Sequence, residues 1–246
     1  MIPVRESPSP NCDARLPGVP IDILLLHYTG MQSAAAALAR LCDPAAEVSA
    51  HYLIDEDGTI HRLVPEDRRA WHAGKARWQG AEDINARSIG IELVNPGHEW
   101  GYRPFPEAQM AALEALALDI VSRQAIPPRR VLGHSDVAPT RKQDPGELFD
   151  WARLARAGLG LWPRPDFVPP SDVPAVMAGQ RGPAVLDLQI ALDTVGYWVE
   201  GTGLFDPLTE AAVTALQRHF RPRRVDGIAD AETQGLAFHL AEIAAA

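Results

Sequence analysis

The 246-residue chain has few cysteines, no apolar run of transmembrane length and no excess of positive charge. Cys12 and Cys42 are its two cysteines, and the sequence leaves open whether they pair. They do not stand in a CxxC spacing, which argues against a thiolate zinc site. The apolar run over residues 21–26 is too short to span a bilayer, so no membrane insertion is expected.

Positive charge is scarce, because 23 Lys and Arg residues stand against 32 Asp and Glu residues and leave a net charge of −9. This balance argues against a nucleic-acid binder and against a polybasic membrane anchor. Residues 1–20 are rich in proline but lack the basic start and apolar centre of a secretory signal. A cytoplasmic location is therefore expected, or a periplasmic one if an export signal was removed.

Proline-rich stretches divide the chain into four parts. Residues 1–20 are predicted to form an extended arm over the surface, and residues 159–174 a semi-rigid linker. Residues 21–158 are predicted to form the larger domain. Residues 175–246 are predicted to form three helices near 183–194, 207–219 and 230–243. This last part has no cluster of catalytic residue types, so a binding module is expected there. A monomer is expected for the whole chain.

The sequence pattern of this larger domain predicts alternating strands and helices. Strands are predicted at 21–30, 51–54, 59–64, 88–93 and 130–133, and helices at 33–42, 106–124 and 145–157. This order indicates an α/β fold with a mixed central sheet flanked by helices, followed by a small all-α C-terminal domain.

Two predicted strands carry polar residues, His27 and Glu92, that are candidates for a functional site. His27 stands at the end of a strand buried on both faces, where ligands gather in open α/β sheets, although a hydrogen-bonded core histidine is the ordinary alternative. Glu92 lies in an alternating strand, where burying a carboxylate is costly unless it has a partner or a task. Gly90 beside it leaves room for another group to approach, and a salt bridge to Arg87 is the alternative for Glu92.

Residues 134–146 place His134, Lys142 and Asp144 in one segment that Pro139 and Pro145 prevent from being a continuous helix. A loop is therefore predicted between a strand and a helix. An imidazole and a carboxylate suit Zn²⁺, which needs a third protein ligand and keeps a fourth position open. An ordinary polar loop with a surface histidine is the alternative.

For two further residues, His51 and Trp71, the sequence leaves open a functional or a structural role. His51 is a candidate extra ligand, against a buried neutral histidine. Trp71 is a candidate for stacking on a sugar or peptide, against a half-buried aromatic side chain.

Several motifs occur together in a fixed order along residues 15–157. They are His27-Tyr28-Thr29, Ser49-Ala50-His51, Ala70-Trp71-His72-Ala73-Gly74, Ser88-Ile89-Gly90-Ile91-Glu92-Leu93 and the segment from His134 to Gly146. Together they resemble the zinc-dependent N-acetylmuramoyl-L-alanine amidases, the type-2 amidase family, which shares its fold with peptidoglycan-recognition proteins. The C-terminal part resembles the three-helix peptidoglycan-binding module, through Gly203-Leu204-Phe205-Asp206 and Asp226-Gly227 among other residues.

The resemblance assigns roles to individual residues. His27, His134 and Asp144 match the zinc ligands, Glu92 matches the catalytic glutamate, and Lys142 matches the conserved lysine of the family's motif. The substrate-binding candidates lie in the same motifs and are Tyr28, Trp71, His72 and Arg141.

The implied reaction is zinc-dependent hydrolysis of the amide joining N-acetylmuramic acid, in its ordinary or 1,6-anhydro form, to L-alanine. The expected partners are peptidoglycan fragments or the sacculus, with no nucleic acid. A non-catalytic peptidoglycan receptor on the same fold is the alternative. A zinc peptidase is a third possibility, but the sequence lacks the HExxH motif of its commonest version. The sequence leaves open the form of muramic acid, the stem-peptide length and whether the C-terminal part binds the wall.

Overall fold

The computed structural model describes residues 3–245. The strands are β1 (Val4–Glu6), β2 (Cys12–Ala14), β3 (Ile23–Tyr28), β4 (Tyr52–Ile54), β5 (Ile60–Arg62), β6 (Arg68–Ala70), β7 (Ser88–Leu93) and β8 (Val131–Gly133). The helices are α1 (Ala34–Leu41), α2 (Ile84–Arg87), α3 (Gly97–Trp100), α4 (Glu107–Gln124), α5 (His134–Val137), α6 (Trp151–Arg156), α7 (Pro183–Val195), α8 (Pro207–Phe220) and α9 (Ala231–Ala245).

Six strands form the central sheet in the order β1-β5-β4-β7-β3-β8, and β2 pairs with β6 in a separate ribbon. Strand β3 is parallel to both of its neighbours, β7 and β8, and β4 is parallel to β7. The antiparallel pair β4–β5 and the parallel pair β1–β5 complete the sheet. The predicted mixed sheet flanked by helices is confirmed.

The central strand β3 is apolar on both faces because both faces are covered. Leu24 and Leu26 share a core with α4, while Leu25 faces the opposite layer. Helix α4 buries Met110, Leu113 and other apolar residues of one stripe against this sheet. The helix ends at Ala125, whose φ of 54° is left-handed, just before two prolines prevent its continuation.

Three local predictions were incomplete or wrong. The N-terminal arm does not only lie over the surface, because β1 joins the central sheet and β2 pairs with β6. The helix predicted from Pro145 begins only at Trp151, where the Asp150 carboxylate accepts a hydrogen bond from the Arg153 N–H at 2.9 Å. Residues 134–137, predicted as loop, form the short helix α5.

The C-terminal part contains the three expected helices, α7 to α9. Helix α8 begins after Asp206, whose carboxylate accepts the Thr209 N–H at 2.7 Å. The three helices pack on the sheet face that carries Leu25, within one continuous apolar core. The domain boundaries themselves stay a prediction. Within residues 3–245, no helix combines the length and apolar character needed to cross a membrane.

Candidate metal centre and active site

Three polar residues lie together at the carboxyl ends of three neighbouring strands, β7, β3 and β8. His27 on β3 is in register with Glu92 on β7, and Gly133 on β8 is in register with Leu26. Because the strands are parallel, the next residue, His134, emerges beside His27. Side chains at paired positions project from the same face of a sheet. The parallel arrangement therefore gathers His27, Glu92 and His134, which are far apart in sequence.

A fold-back of the chain after α5 brings Asp144 to the same place. The Ser135 N–H donates to the Asp144 carbonyl oxygen at 2.9 Å. The Ala138 carbonyl accepts the backbone N–H groups of Arg141 and Lys142 at 3.1 and 3.0 Å. These hydrogen bonds close residues 133–146, named here the ligand loop, into a compact turn. The ten-residue separation of His134 and Asp144 is bridged in this way.

Three side-chain atoms of the ligand set meet at one point. His27 Nδ1 lies 2.9 Å from His134 Nδ1, and each nitrogen lies 3.0 Å from Asp144 Oδ2. The exposed fractions of His27, His134 and Asp144 are 1%, 3% and 6%. Such a convergence of buried imidazole and carboxylate groups is typical of a metal site.

The hydrogen-bond partners of the histidines indicate which ring nitrogen carries the proton. His134 Nε2 lies 3.0 Å from the Ala73 carbonyl oxygen, which only accepts, so this nitrogen donates and Nδ1 is the acceptor of the neutral ring. His27 Nε2 lies 3.0 Å from His72 Nδ1. Burial and then the neighbouring His27 lower the pKa of His72 well below its ordinary value, so the His72 ring is neutral.

Ser88 settles the direction of the His72 contacts. Its hydroxyl donates to the Ile84 carbonyl at 2.7 Å, so its oxygen accepts a hydrogen bond from His72 Nε2–H at 3.2 Å. His72 Nδ1 is then an acceptor, and the donor to it is His27 Nε2–H. His27 Nδ1 therefore also carries an unshared lone pair toward His134 and Asp144.

This arrangement fits a divalent cation. With both rings neutral, the two Nδ1 atoms and the Asp144 oxygen are all acceptors, and their lone pairs repel one another unless a cation lies between them. Burial lowers the pKa of His27 to about 4, with a further lowering from His134, so protonation of that ring does not relieve the conflict at neutral pH. Two imidazoles and one carboxylate are ligands that suit Zn²⁺ with an open fourth position.

Gly90 leaves the space in which the His72 ring lies against His27. It lies two residues before Glu92 on the same face of β7, next to Leu25. A Cβ atom at Gly90 would lie 2.5 Å from His72 Nδ1, which is shorter than any ordinary van der Waals contact of a Cβ atom. The glycine expected to leave room for another group thus admits the imidazole of His72.

Glu92 faces the metal centre with a free carboxylate oxygen. Its Oε2 is buried and has no hydrogen-bond partner among residues 3–245. Burial raises the pKa of Glu92 well above its ordinary value, the charge of Asp144 raises it further, and Lys142 lowers it. The alternative salt bridge to Arg87 is wrong, because Arg87 pairs with Asp22. A carboxyl group in this environment is suited to carrying a proton.

A cavity of about 380 Å³ opens over these residues. Its lining includes His27, Glu92, His134, Lys142 and Asp144. Within the described part of the chain, the Lys142 ammonium makes no hydrogen bond or ion pair, so its charge is available to a molecule in the cavity. All five residues predicted for ligation and catalysis thus share one cleft.

The four residues expected to bind substrate are placed differently from one another. Tyr28 lines the cavity, and its hydroxyl lies 2.9 Å from His98 Nδ1. Arg141 also lines it, but its guanidinium donates to the carbonyl of Lys75 at 2.7 Å and to that of Ala73. His72 also borders the cavity but is buried, with its Nδ1 3.0 Å from His27 Nε2.

Trp71 and His51 lie outside the cavity lining that the structure describes. The Trp71 backbone pairs with Ser49, and its side chain is half-buried. His51 is fully buried, accepts the Gly90 N–H at 2.9 Å through Nδ1, and has a pKa that burial and the Arg15 charge lower to about 3. The extra-ligand hypothesis for His51 is wrong, because its two nitrogens have partners within the fold.

Sequence reasoning missed several polar residues around this site. Ser88 was seen only as the start of a strand, although its hydroxyl orients His72. His98 lines the cavity next to Tyr28, and its Nε2 lies 3.1 Å from the Glu147 carboxylate. His98 lies on the one-turn helix α3 and Glu147 in a loop, and neither segment is long enough to leave a periodic signal in the sequence.

Comparison with known proteins gives two family matches and related structures. A family model described as N-acetylmuramoyl-L-alanine amidase matches residues 17–147, and one described as a peptidoglycan binding domain matches residues 181–236. The N-acetylmuramoyl-L-alanine amidase AmiD of Escherichia coli (strain K12) is 39% identical over 240 residues, which cover 90% of this chain and 83% of that relative.

Two solved structures resemble the whole chain. One is the complex of the E. coli AmiD with the substrate anhydro-N-acetylmuramic acid-L-Ala-D-γ-Glu-L-Lys, at a TM-score of 0.79 and 36% identity, covering 93% of this chain and 92% of that one. The other is AmpDh3 from Pseudomonas aeruginosa with anhydromuramic pentapeptide, at a TM-score of 0.77 and 32% identity, covering 91% and 92%.

Proposed function

Because the chain belongs to the N-acetylmuramoyl-L-alanine amidase family, we propose that it hydrolyses the amide between N-acetylmuramic acid and L-alanine with Zn²⁺ held by His27, His134 and Asp144. The observation that carries the metal assignment is the meeting of three unprotonated acceptor atoms at 2.9 to 3.0 Å in a buried site. Glu92 and Lys142 line the same cleft.

The chain's own residues perform the proton transfers and the charge stabilisation. When bound at such a site, Zn²⁺ activates water as a nucleophile near neutral pH and polarises the amide carbonyl. The half-buried Glu92 carboxylate takes the proton from the attacking water and returns it to the leaving amine of L-alanine. The Lys142 ammonium stabilises the negative charge that develops on the former carbonyl oxygen.

The substrate class follows from the relatives and from the open cleft. Both related structures were solved with anhydromuramic peptides, and the chain matches each over more than nine tenths of its length. We infer that this chain acts on 1,6-anhydro-muropeptides in peptidoglycan degradation or recycling. Tyr28 lines the cleft beside the centre and is available to contact such a ligand.

The alternative of a non-catalytic receptor is not supported. The relatives that match most of the chain are named as amidases, and the full set of ligand and proton-transfer residues is present. The cytoplasmic location and the monomeric state stay predictions.

Metal removal tests the proposed chemistry. Dialysis against a strong chelator should abolish release of the peptide from purified anhydro-N-acetylmuramyl tripeptide, and one equivalent of Zn²⁺ should restore it. Mass spectrometry of the products identifies the broken bond, because amidase action separates the intact muramic residue from the intact peptide. Full cleavage by protein shown to be metal-free would contradict the zinc assignment.

Substrate preference needs a second comparison. Intact sacculi and ordinary N-acetylmuramyl tripeptide, assayed beside the anhydro form at equal concentration, rank the three substrates by kcat/KM. A preference for the ordinary form would contradict the anhydro assignment while leaving the amidase assignment in place.

A further inference from the structure

The C-terminal helical unit, residues 175–245, packs directly against the layer that contains the candidate metal centre. Leu25 of β3 and Val137 of α5 share one apolar core with Leu188 and Tyr197 of this unit. The rings of Trp78 and Tyr197 meet edge to face with centroids 5.1 Å apart. The helices are therefore packed as part of the protein core, not merely tethered by residues 159–174.

A buried carboxylate lies at the centre of this contact. Asp136 on α5 is 1% exposed. Its Oδ1 accepts the hydroxyl of Tyr197 at 2.8 Å, and its Oδ2 accepts the Nδ1–H of His219 at 2.8 Å and the Gly133 N–H at 2.7 Å. No arginine or lysine among residues 3–245 pairs with this carboxylate. Two of its three donors thus come from the C-terminal unit, and a buried charge depends on such donors.

The two donors are themselves held firmly. Burial and then the Asp136 charge raise the pKa of Tyr197 well above its ordinary value, so the phenol keeps the proton that it donates. The His219 ring stacks on Trp151 with centroids 3.7 Å apart. Both rings therefore present their polar hydrogen at a fixed position.

Asp136 belongs to the same compact turn as the metal-site residues. It follows His134 by two residues, and its carboxylate binds the N–H of Gly133, the residue immediately before His134. The intervening Ser135 donates its N–H to the Asp144 carbonyl at 2.9 Å. A shift of Asp136 would therefore move the backbone that carries both His134 and Asp144.

We propose that Tyr197 and His219 are positioning residues of the active site, through which the C-terminal unit holds Asp136 and with it the ligand loop. The unit then has a structural task in the catalytic centre in addition to any contact with peptidoglycan. The relation to catalysis rests on the proposed function, but the effect on the loop does not require metal or activity.

Matched substitutions isolate the two hydrogen bonds. Tyr197→Phe and His219→Phe keep an aromatic ring in place and remove only the donor. Gln189→Met is the control, because Gln189 is buried and bonds only within the C-terminal unit, to Thr209 and to the carbonyl of Leu204 among others. This control weakens the unit without touching Asp136.

The hydrogen-exchange rate of the Ser135 amide, followed by NMR in the metal-free protein, measures how often the ligand loop opens, because this N–H bonds to the Asp144 carbonyl. Loss of one donor to a buried carboxylate should accelerate this exchange by roughly ten- to a hundredfold in Tyr197→Phe and His219→Phe. Gln189→Met should leave it within about twofold of the parent, even where its thermal midpoint falls as far.

Metal affinity and kinetics provide the functional readout. In the two donor variants, chelator competition should show zinc affinity weaker by about tenfold, and kcat should fall with little change in KM. Ser135 exchange equal to that of the parent, or equal acceleration in Gln189→Met, would overturn the proposal. Accelerated exchange in a protein whose parent does not cleave the substrate would instead refute the proposed function and leave the positioning role standing.

Discussion

The contact between His27 and His72 supports a quantitative prediction about metal affinity. His27 Nε2–H donates to His72 Nδ1 at 3.0 Å, and this bond leaves His27 Nδ1 free to bind a cation. Replacing His72 by leucine removes the acceptor and puts an apolar side chain of similar length in its place. His27 must then leave a buried N–H without a partner or move its proton to Nδ1, where it blocks the metal.

The size of the effect follows from these two choices. An unsatisfied buried donor costs about 1–3 kcal/mol. That range corresponds to a weakening of zinc binding by about 5- to 150-fold, and the 10- to 100-fold loss usually found when a partner of a metal-bound histidine is removed lies within it. In the metal-free protein the proton can move to Nδ1 and avoid this cost, so the cost falls on the metal-bound form and appears as lost zinc affinity.

Chelator competition at pH 7.5 measures the zinc dissociation constant of each variant. His72→Asn is the matched control, because its Oδ1 can occupy the place of the imidazole Nδ1 and accept from His27, while it has the same branched skeleton as leucine. We expect Asn to recover most of the affinity that Leu loses. Ser88→Ala, which removes the acceptor of His72 Nε2–H, should have a smaller effect.

Equal zinc affinity in His72→Leu and the parent would refute this reasoning. It would mean that His27 does not depend on His72 for its tautomer. Equal losses in the Leu and Asn variants would show that packing under Gly90, and not the hydrogen bond, determines the affinity.

Two further substitutions test the proton carrier and the acid stability of the fold. Glu92→Gln should lower kcat by about 10²–10⁴-fold while zinc content stays stoichiometric, and an unchanged rate would remove Glu92 from the proposed mechanism. Glu66→Gln tests a site far from the cleft: burial raises the pKa of Glu66, but hydrogen bonds from Arg123 and Tyr52 hold it at about 2. Because this pKa is depressed, the stabilisation is present above about pH 4.5 and is lost as pH falls toward 2. After allowance for solvent screening, urea denaturation should show Glu66→Gln less stable by about 1–2 kcal/mol at pH 7, and a constant difference down to pH 2 would contradict it.

The sequence predicted the central strands well because their burial leaves a local signal. The run over residues 21–26 is apolar since β3 is covered on both faces, and the alternation around Glu92 reflects one apolar and one functional face of β7. Gly90 could be recognised as a position of close approach. What approaches it, His72, lies in a segment between strands and could not be identified without the tertiary fold.

The convergence of the ligand set depends on strand order, which the sequence does not encode locally. His27, Glu92 and His134 meet because β3 lies between β7 and β8 in the sheet. Spacing along the chain gives no hint of this adjacency. Resemblance to a known family supplied the grouping, and the parallel register of the three strands explains it.

The segment His134-Ser135-Asp136 shows why one motif can carry two separate tasks. In the short helix α5, residues two apart are rotated by about 200° around the helix axis, so their side chains point in nearly opposite directions. His134 consequently faces His27 and Asp144, while Asp136 faces Tyr197 and His219. A motif with one obvious metal-binding residue therefore also contains the residue that anchors a different part of the chain. Only the position of Tyr197 in the fold, 61 residues after Asp136 in the sequence, reveals that task.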